Sequence, residues 1–242
     1  MNQQSSLWSD AWRRLLANKA ALAGGIILIV LIVLAIFAPW IAPHSYSYQN
    51  LDLGAQPPSS DFLLGTDTLG RDLFSRILYG ARVSLLVGFV ATGVALVIGV
   101  SWGIIAGYFG GRIDSVMMRI VDVLYGLPFI IFIILLMVIF GRNIWLLFAA
   151  IGAVEWLTMA RIVRGQVLSI KNQEYVLAAQ AMGVTNMQMF RKHIFPNILG
   201  PIAVYATLTI PQVMLLEAFL SFLGLGIQPP MSSWGTLIRY GV

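Results

Sequence analysis

EYVLAAQAMGVTNMQMFRKHIFP, residues 174–196, is a small and mostly polar island in a chain whose other long stretches are apolar. Its place decides the fold, because the sequence on both sides reads as membrane spans. Of 242 residues, 59% are hydrophobic and only 10% charged. The mean hydropathy is +0.85, whereas in a soluble domain about a quarter of residues are charged. The composition is that of an all-α integral membrane protein. There is no cysteine, which excludes disulfide frameworks, thiolate metal sites and thiol redox chemistry. The pI of about 9.7 does not point to nucleic acid, because the 15 Lys and Arg are scattered and form no basic run.

Outward from the island, five stretches are long enough for about 20 apolar residues to cross about 30 Å of hydrocarbon. They are 20–41, 83–109, 123–140, 144 to about 160, and 194–216. The first follows Arg13, Arg14 and Lys19 without a small-residue cleavage pattern, so it reads as an anchor rather than a removable signal. GRN at 141–143 predicts a tight hairpin between the third and fourth spans. The fifth contains Pro201 and Pro211, which imply kinks whose freed carbonyls neighbouring helices must satisfy. The chain then divides into an N-terminal segment 1–19, a first transmembrane helix 20–43, a loop 44–82 and a core 83–242.

Positive charge sets the orientation. With the N-terminus in the cytoplasm, ten Lys and Arg fall inside and five outside: Arg71, Arg76, Arg82, Arg142 and Arg239. The island then lies in the cytoplasm and the loop 44–82 in the periplasm. Projected at 100° per residue, GTDTLGRDLFSRILYGARVSL (65–85) places Leu69, Leu73, Ile77 and Leu78 on one half and Arg71, Asp72, Ser75 and Arg76 on the other. This predicts an amphipathic helix lying flat on the membrane, with Asp72 and Arg76 as an i,i+4 pair.

Gly99, Gly103 and Gly107 repeat every four residues and share one helix face, on which another backbone can approach closely. Glu155 and Glu217 are the acids within or at the end of spans. A carboxylate in lipid is costly enough that a place on a transport pathway must be considered for Glu155. The kinking prolines Pro128 and Pro211 are candidates for the same path. No phosphate-binding loop, HExxH zinc pair or GxSxG elbow occurs. His44 and His193 fall on opposite sides of the membrane and read as interfacial residues. An intramembrane enzyme would have to be built from Glu155 and scattered serines. The other rival class is a channel or scaffold subunit without energy coupling.

Within the island, Glu174 to Met182 has helix-forming composition, with Ala178 and Ala179 at its centre. Gly183 suits a left-handed stop. Thr185 and Gln188 then match a capping box that starts a second short helix, running to about His193. Two short helices joined by a glycine bend make a thin knob, and Met187, Met189 and Phe190 offer adaptable contact area for a partner's groove.

The island resembles the cytoplasmic coupling loop of bacterial ABC importer permeases, whose signature is EAA, three residues, Gly, nine residues, then I-x-L-P. Ala178, Ala179, Gly183 and Pro196 match, while Leu177, His193 and Phe195 stand where the signature has Glu, Ile and Leu, and Glu174 lies one turn earlier. FLLGTDTLGRDLFSRILYGARVSL, GYFGGRIDSVMMRIVDVLYGLPFI and FLSFLGLGIQPPMSSWGTL resemble the peptide and nickel permease family. WLTMARIVRGQVLSIKNQEYVLAAQ resembles the C-type subunit of its oligopeptide branch. The resemblance implies the type I importer permease fold, with a sixth span and a tail beyond the five visible here. It also implies peptide import across the bacterial inner membrane, with nickel or another small solute as the alternative cargo. The implied partners are a second homologous permease, two ABC ATPase subunits that hold ATP and magnesium, and a periplasmic binding protein. No cofactor is expected in this chain, and residues 174–193 would carry the coupling, with Glu174, Ala178, Ala179, Gly183, Thr185, Gln188 and Pro196 as its residues.

Overall fold

The structure, a computed structural model, describes residues 7–141 and 143–240. Arg142 of the expected 141–143 hairpin lies outside the described residues. The chain forms two compact units that divide between Arg82 and Val83. Helices account for all the regular structure of the described residues; the one β-type pairing is an isolated bridge between Thr66 and Asp72.

In the first unit, α1 (Leu7–Ala17) ends before Asn18, whose side-chain oxygen accepts the N–H of Ala21 at 3.1 Å and caps α2 (Lys19–Ile36). The chain breaks at Phe37, and α3 (Ala38–Ile41) follows with Pro39 in its first turn. The expected span 20–41 is therefore one helix ending at Ile36 plus a separate turn.

The loop that follows corrects the expected flat helix. Residues 65–72 are not helical; α4 begins at Leu73 and runs unbroken to Phe109. Asp72 is its cap, accepting the N–H of Ser75 at 3.0 Å and its hydroxyl at 2.5 Å. The ion pair of Arg76 is made with Asp67, not with Asp72. Arg71, Asp72, Ser75 and Arg76, expected to face water, are buried. They are affordable inside because Asp67 gathers them: its carboxylate takes Arg71 Nε at 2.7 Å, Arg76 Nη1, and the N–H groups of Leu69 and Arg71 at 2.9 and 3.0 Å. Burial alone would raise the Asp67 carboxyl, but these hydrogen bonds and the Arg71 charge hold it below its ordinary value.

In the second unit, α4 continues into α5 (Gly111–Tyr125), α6 (Phe129–Phe140), α7 (Ile144–Lys171), α8 (Glu174–Ala181) and α9 (Asn186–Met189). One wide turn (Phe190–Ile194), α10 (Phe195–Phe222) and α11 (Trp234–Arg239) complete it. The expected third span, 123–140, is broken: α5 and α6 meet at 75° across Gly126–Pro128. Leu127 precedes a proline and is pushed out of helical geometry, so the bend falls there. At about 1.5 Å per residue, the 12 residues of α6 reach only about 18 Å. Four helices are long and apolar enough to cross a membrane, or five when the bent pair counts as one span. The fourth expected span is longer than its apolar core suggested, since α7 carries Arg161, Arg164 and Lys171 in its last turns.

Gly99, Gly103 and Gly107 seat α4 on α7. A Cβ at Gly103 would lie 2.5 Å from the carbonyl oxygen of Ala160 and 2.8 Å from Val163 Cβ; one at Gly99 would meet Trp156 O and Met159 Cβ at 2.7 Å. The small residues serve packing within this chain, so the row is filled by its own α7. Three clusters of buried side chains surround this pair; the one nearest the island joins Met159, Val163 and Val167 of α7 to Val176, Ala179, Met189 and Ile194.

Candidate functional site

The island folds as a knob of two short helices. α8 closes with a Schellman motif: the N–H of Val184 reaches the carbonyl of Ala179 at 3.2 Å and the N–H of Gly183 reaches that of Gln180 at 3.0 Å. Gly183 has φ +78, the left-handed conformation this motif needs, and open space lies where its Cβ would stand. Thr185 caps α9, its hydroxyl oxygen accepting the N–H of Gln188 at 3.4 Å. Only this half of the expected capping box forms. The second helix also does not stop at His193: α9 passes through the wide turn directly into α10. That turn falls just before Pro196, which has no N–H to give to the carbonyl of Lys192.

The knob's two sides differ from the sequence expectation. Ala179 is 3% exposed and Met189 is 1% exposed, both packed with Val176 and Ile194 against α7. They hold the knob together and do not line its outer surface. The outer surface carries Leu177, Met182 and Met187 at 50, 77 and 65% exposure, with Glu174, Ala178 and Gln188 also exposed. Leu177 and Met182 were not among the residues the sequence marks for this surface. The available signal was Leu177 itself, an apolar residue standing where the family signature has a carboxylate.

Ion pairs brace the helices that carry the knob. Arg164 of α7 makes a two-pronged contact with Asp114 of α5, at 2.5 and 2.6 Å, and Arg161 reaches Asp122 at 2.7 Å while lying 4.1 Å over the ring of Tyr125. Lys171 Nζ donates to the carbonyl of Tyr108 at 2.7 Å, tying the end of α7 to the end of α4. His193 lies within the wide turn, 6.1 Å from the ring of Tyr175.

The candidate pathway residues are not gathered in one place. Pro211 lines a cavity of about 330 Å³ together with Ser84, Met214, Glu217 and Trp234. Glu155 is half-buried in α7, Pro128 sits at the α5–α6 bend, and neither lines this cavity. Glu217 is fully buried at the cavity wall. Its carboxyl accepts from Ser221 at 2.6 Å, from Ser84 at 3.4 Å and from Ser233, while Ser84 Oγ takes the N–H of Trp234 at 3.1 Å. Ser233 in turn forms a capping box with Thr236 at the start of α11. Glu217 thus fastens α11 back onto α10 and α4, a role the sequence did not disclose.

Comparison with known proteins gives this geometry its context. Residues 99–242 match the family described as binding-protein-dependent transport system inner membrane component. Residues 6–58 match the N-terminal transmembrane domain of oligopeptide transport permease C. The dipeptide transport system permease protein of Bacillus subtilis is 52% identical, over 98% of this chain and 74% of that protein. The oligopeptide transport system permease proteins of Bacillus subtilis and Haemophilus influenzae are 48% and 50% identical over 98% of this chain, and over 78% and 76% of their own lengths. An all-helical chain with several membrane-spanning helices, matched over more than half its length by one family and nearly throughout by these relatives, belongs to the inner membrane permeases of binding-protein-dependent transport systems.

Proposed function

We propose that the chain is one of two homologous permease subunits of an ATP-driven importer that carries di- or oligopeptides across the bacterial inner membrane, with its N-terminus in the cytoplasm. Two ATPase subunits hold ATP and magnesium, a periplasmic binding protein delivers the cargo, and this chain holds no cofactor. The observation that carries the coupling role is the knob: exposed Leu177, Met182 and Met187 stand on a scaffold locked from below by Ala179, Val176 and Met189. Such an apolar patch on a braced support suits a groove in a cytoplasmic ATPase. Glu174, Ala178, Gly183, Thr185, Gln188 and Pro196 shape and flank it. The peptide cargo is supported by relatives named for peptide transport, and their identities of 52% and 50% do not favour dipeptides over longer peptides.

Alternating access follows from this reading. ATP-driven closure of the ATPases moves the knob, and α7 and α10, which enter and leave it, open the core to one side or the other. Glu155, with Pro128 and Pro211, belongs to the path the cargo takes. Uptake of labelled di-, tri- and pentapeptides, and of nickel, in cells lacking this subunit and complemented with it tests the cargo. Restored peptide uptake is expected; restored nickel uptake alone would overturn it. Glu155→Gln is expected to alter uptake without altering assembly, and wild-type uptake would remove Glu155 from the path.

A further inference from the structure

Tyr108 stands in the last turn of α4 and touches both sides of the island. Its backbone carbonyl, one of those a helix end leaves without a partner, accepts Lys171 Nζ at 2.7 Å. Lys171 is the last residue of α7, three positions before α8 begins at Glu174. The phenol hydroxyl reaches the other helix of the knob, donating to Asn186 Oδ1 at 2.9 Å with the backbone carbonyl of Asn186 a second acceptor at 3.3 Å, and Asn186 is the first residue of α9. One residue therefore bonds the entry to the knob through its main chain and the second knob helix through its side chain.

What surrounds this bond gives it its importance. Next to it, a Cβ on Gly107 would lie 2.9 Å from Val167 Cβ, so the end of α4 is seated tightly on α7. Toward the knob the packing is looser: a crevice of about 210 Å³ opens between Ile104, Ile105 and Phe109 on α4 and Met187 of α9 with Phe190 just after it. Apolar walls slide past one another at little cost, whereas a hydrogen bond fixes one register. The bond between Tyr108 and Asn186 spans this apolar crevice.

We propose that Tyr108 is a positioning residue of the transport cycle, which makes the α4–α7 pair follow the second helix of the knob when the knob moves. The proposal rests on the coupling role given to the island above. Tyr108→Phe keeps the ring, the carbonyl bond to Lys171 and the glycine seat, and removes only the hydroxyl. Asn186→Ala removes the nearer acceptor, Oδ1, and leaves the backbone carbonyl at 3.3 Å.

The test uses the complete transporter, with both permeases, the ATPases and the binding protein, reconstituted in vesicles. Uptake of a labelled tripeptide and ATP hydrolysis are measured on the same preparation. For Tyr108→Phe, tripeptide taken up per ATP hydrolysed is expected to fall about fivefold, the factor that one hydrogen bond of ordinary strength supplies. Asn186→Ala, which keeps the farther carbonyl acceptor, should lose in the same direction and by no more than Tyr108→Phe, and the double variant should be no worse than Tyr108→Phe. Co-purification of the ATPases should be unchanged in all three, which a merely structural loss would not allow. A wild-type ratio of uptake to hydrolysis in Tyr108→Phe, or additive losses in the double variant, would overturn the proposal. Leu177→Asp with Met187→Asp separates this from the reading beneath it. If that pair leaves ATPase docking intact, the coupling role of the island fails; if docking is lost while Tyr108→Phe transports normally, only the relay fails.

Discussion

Among the four helices long enough to cross a membrane, the most apolar is the least buried. α2 has a mean hydropathy of 2.7 over its best window, of which 6% is buried; α7 has 1.7, with 50% buried. In water the order would be reversed, because burial follows hydrophobicity. In a bilayer the lipid is as apolar as Leu or Ile, so greasiness brings no helices together. α7 is covered because Gly99, Gly103 and Gly107 let α4 approach and because Arg161 and Arg164 find Asp122 and Asp114 on α5. In α2, Gly24 and Gly25 meet nothing within 4 Å, and its large side chains are exposed.

Breaking the glycine seat should have the largest effect. Gly103→Leu would drive carbon into the α7 backbone at Ala160 and Arg164. The expected cost is about 3 kcal/mol, the upper range for overpacking a well-filled contact. Thermal unfolding in detergent and abundance in membranes should both fall.

The polar fastener of α11 comes next. Glu217→Ala leaves the hydroxyls of Ser84, Ser221 and Ser233 without their shared acceptor, at an expected cost of about 2 kcal/mol. The loss should concentrate in α11, so hydrogen exchange across 234–239 should speed up far more than across α7. Uniform acceleration would mean that Glu217 holds the whole unit rather than this one segment.

A smaller, pH-dependent effect belongs to the loop of the first unit. The Asp67 carboxyl titrates lower when folded than when unfolded. Its contribution is therefore complete above about pH 4 and is lost as pH falls through the folded value. Exchange of the Leu69 and Arg71 amides, both bonded to Asp67, should be slow at pH 6 and speed up, after correction for intrinsic rates, as pH is lowered through the folded value. Asp67→Asn should remove that pH dependence.

The smallest effect sharpens the comparison from its other side. Ile29 on α2 is 62% exposed, and Ile29→Ala should change stability by less than about 0.5 kcal/mol. A loss as large as that of Gly103→Leu would show that α2 is packed against another protein rather than against lipid.

Much of the island could be read before its structure. The stop at Gly183 and the cap at Thr185 depend on residues within a few positions of each other, and both are present. The rest could not be read, because it depends on which side faces α7. Met189, expected to offer contact area, lies inside; Leu177, a departure from the signature, is exposed. The polar half of 65–85 failed for the same reason. A helical projection assumes water on one side, and Asp67, itself at the start of that stretch, supplied an interior for Arg71 and Arg76 instead.

The sequence by itself determined the class of the protein, the approximate limits of its apolar segments, the prolines that interrupt them and the bend at Gly183. Each of these follows from hydropathy, from a missing N–H or from a left-handed φ, which are properties of a residue and its immediate neighbours. Only the tertiary structure decided that Arg164 pairs with Asp114 across 50 positions, that Glu217 fastens α11, and that Tyr108 bonds both sides of the island. In a membrane, hydrophobicity does not rank one helix face above another, so the choice of partners passes to small residues and polar pairs that meet only once the helices are side by side.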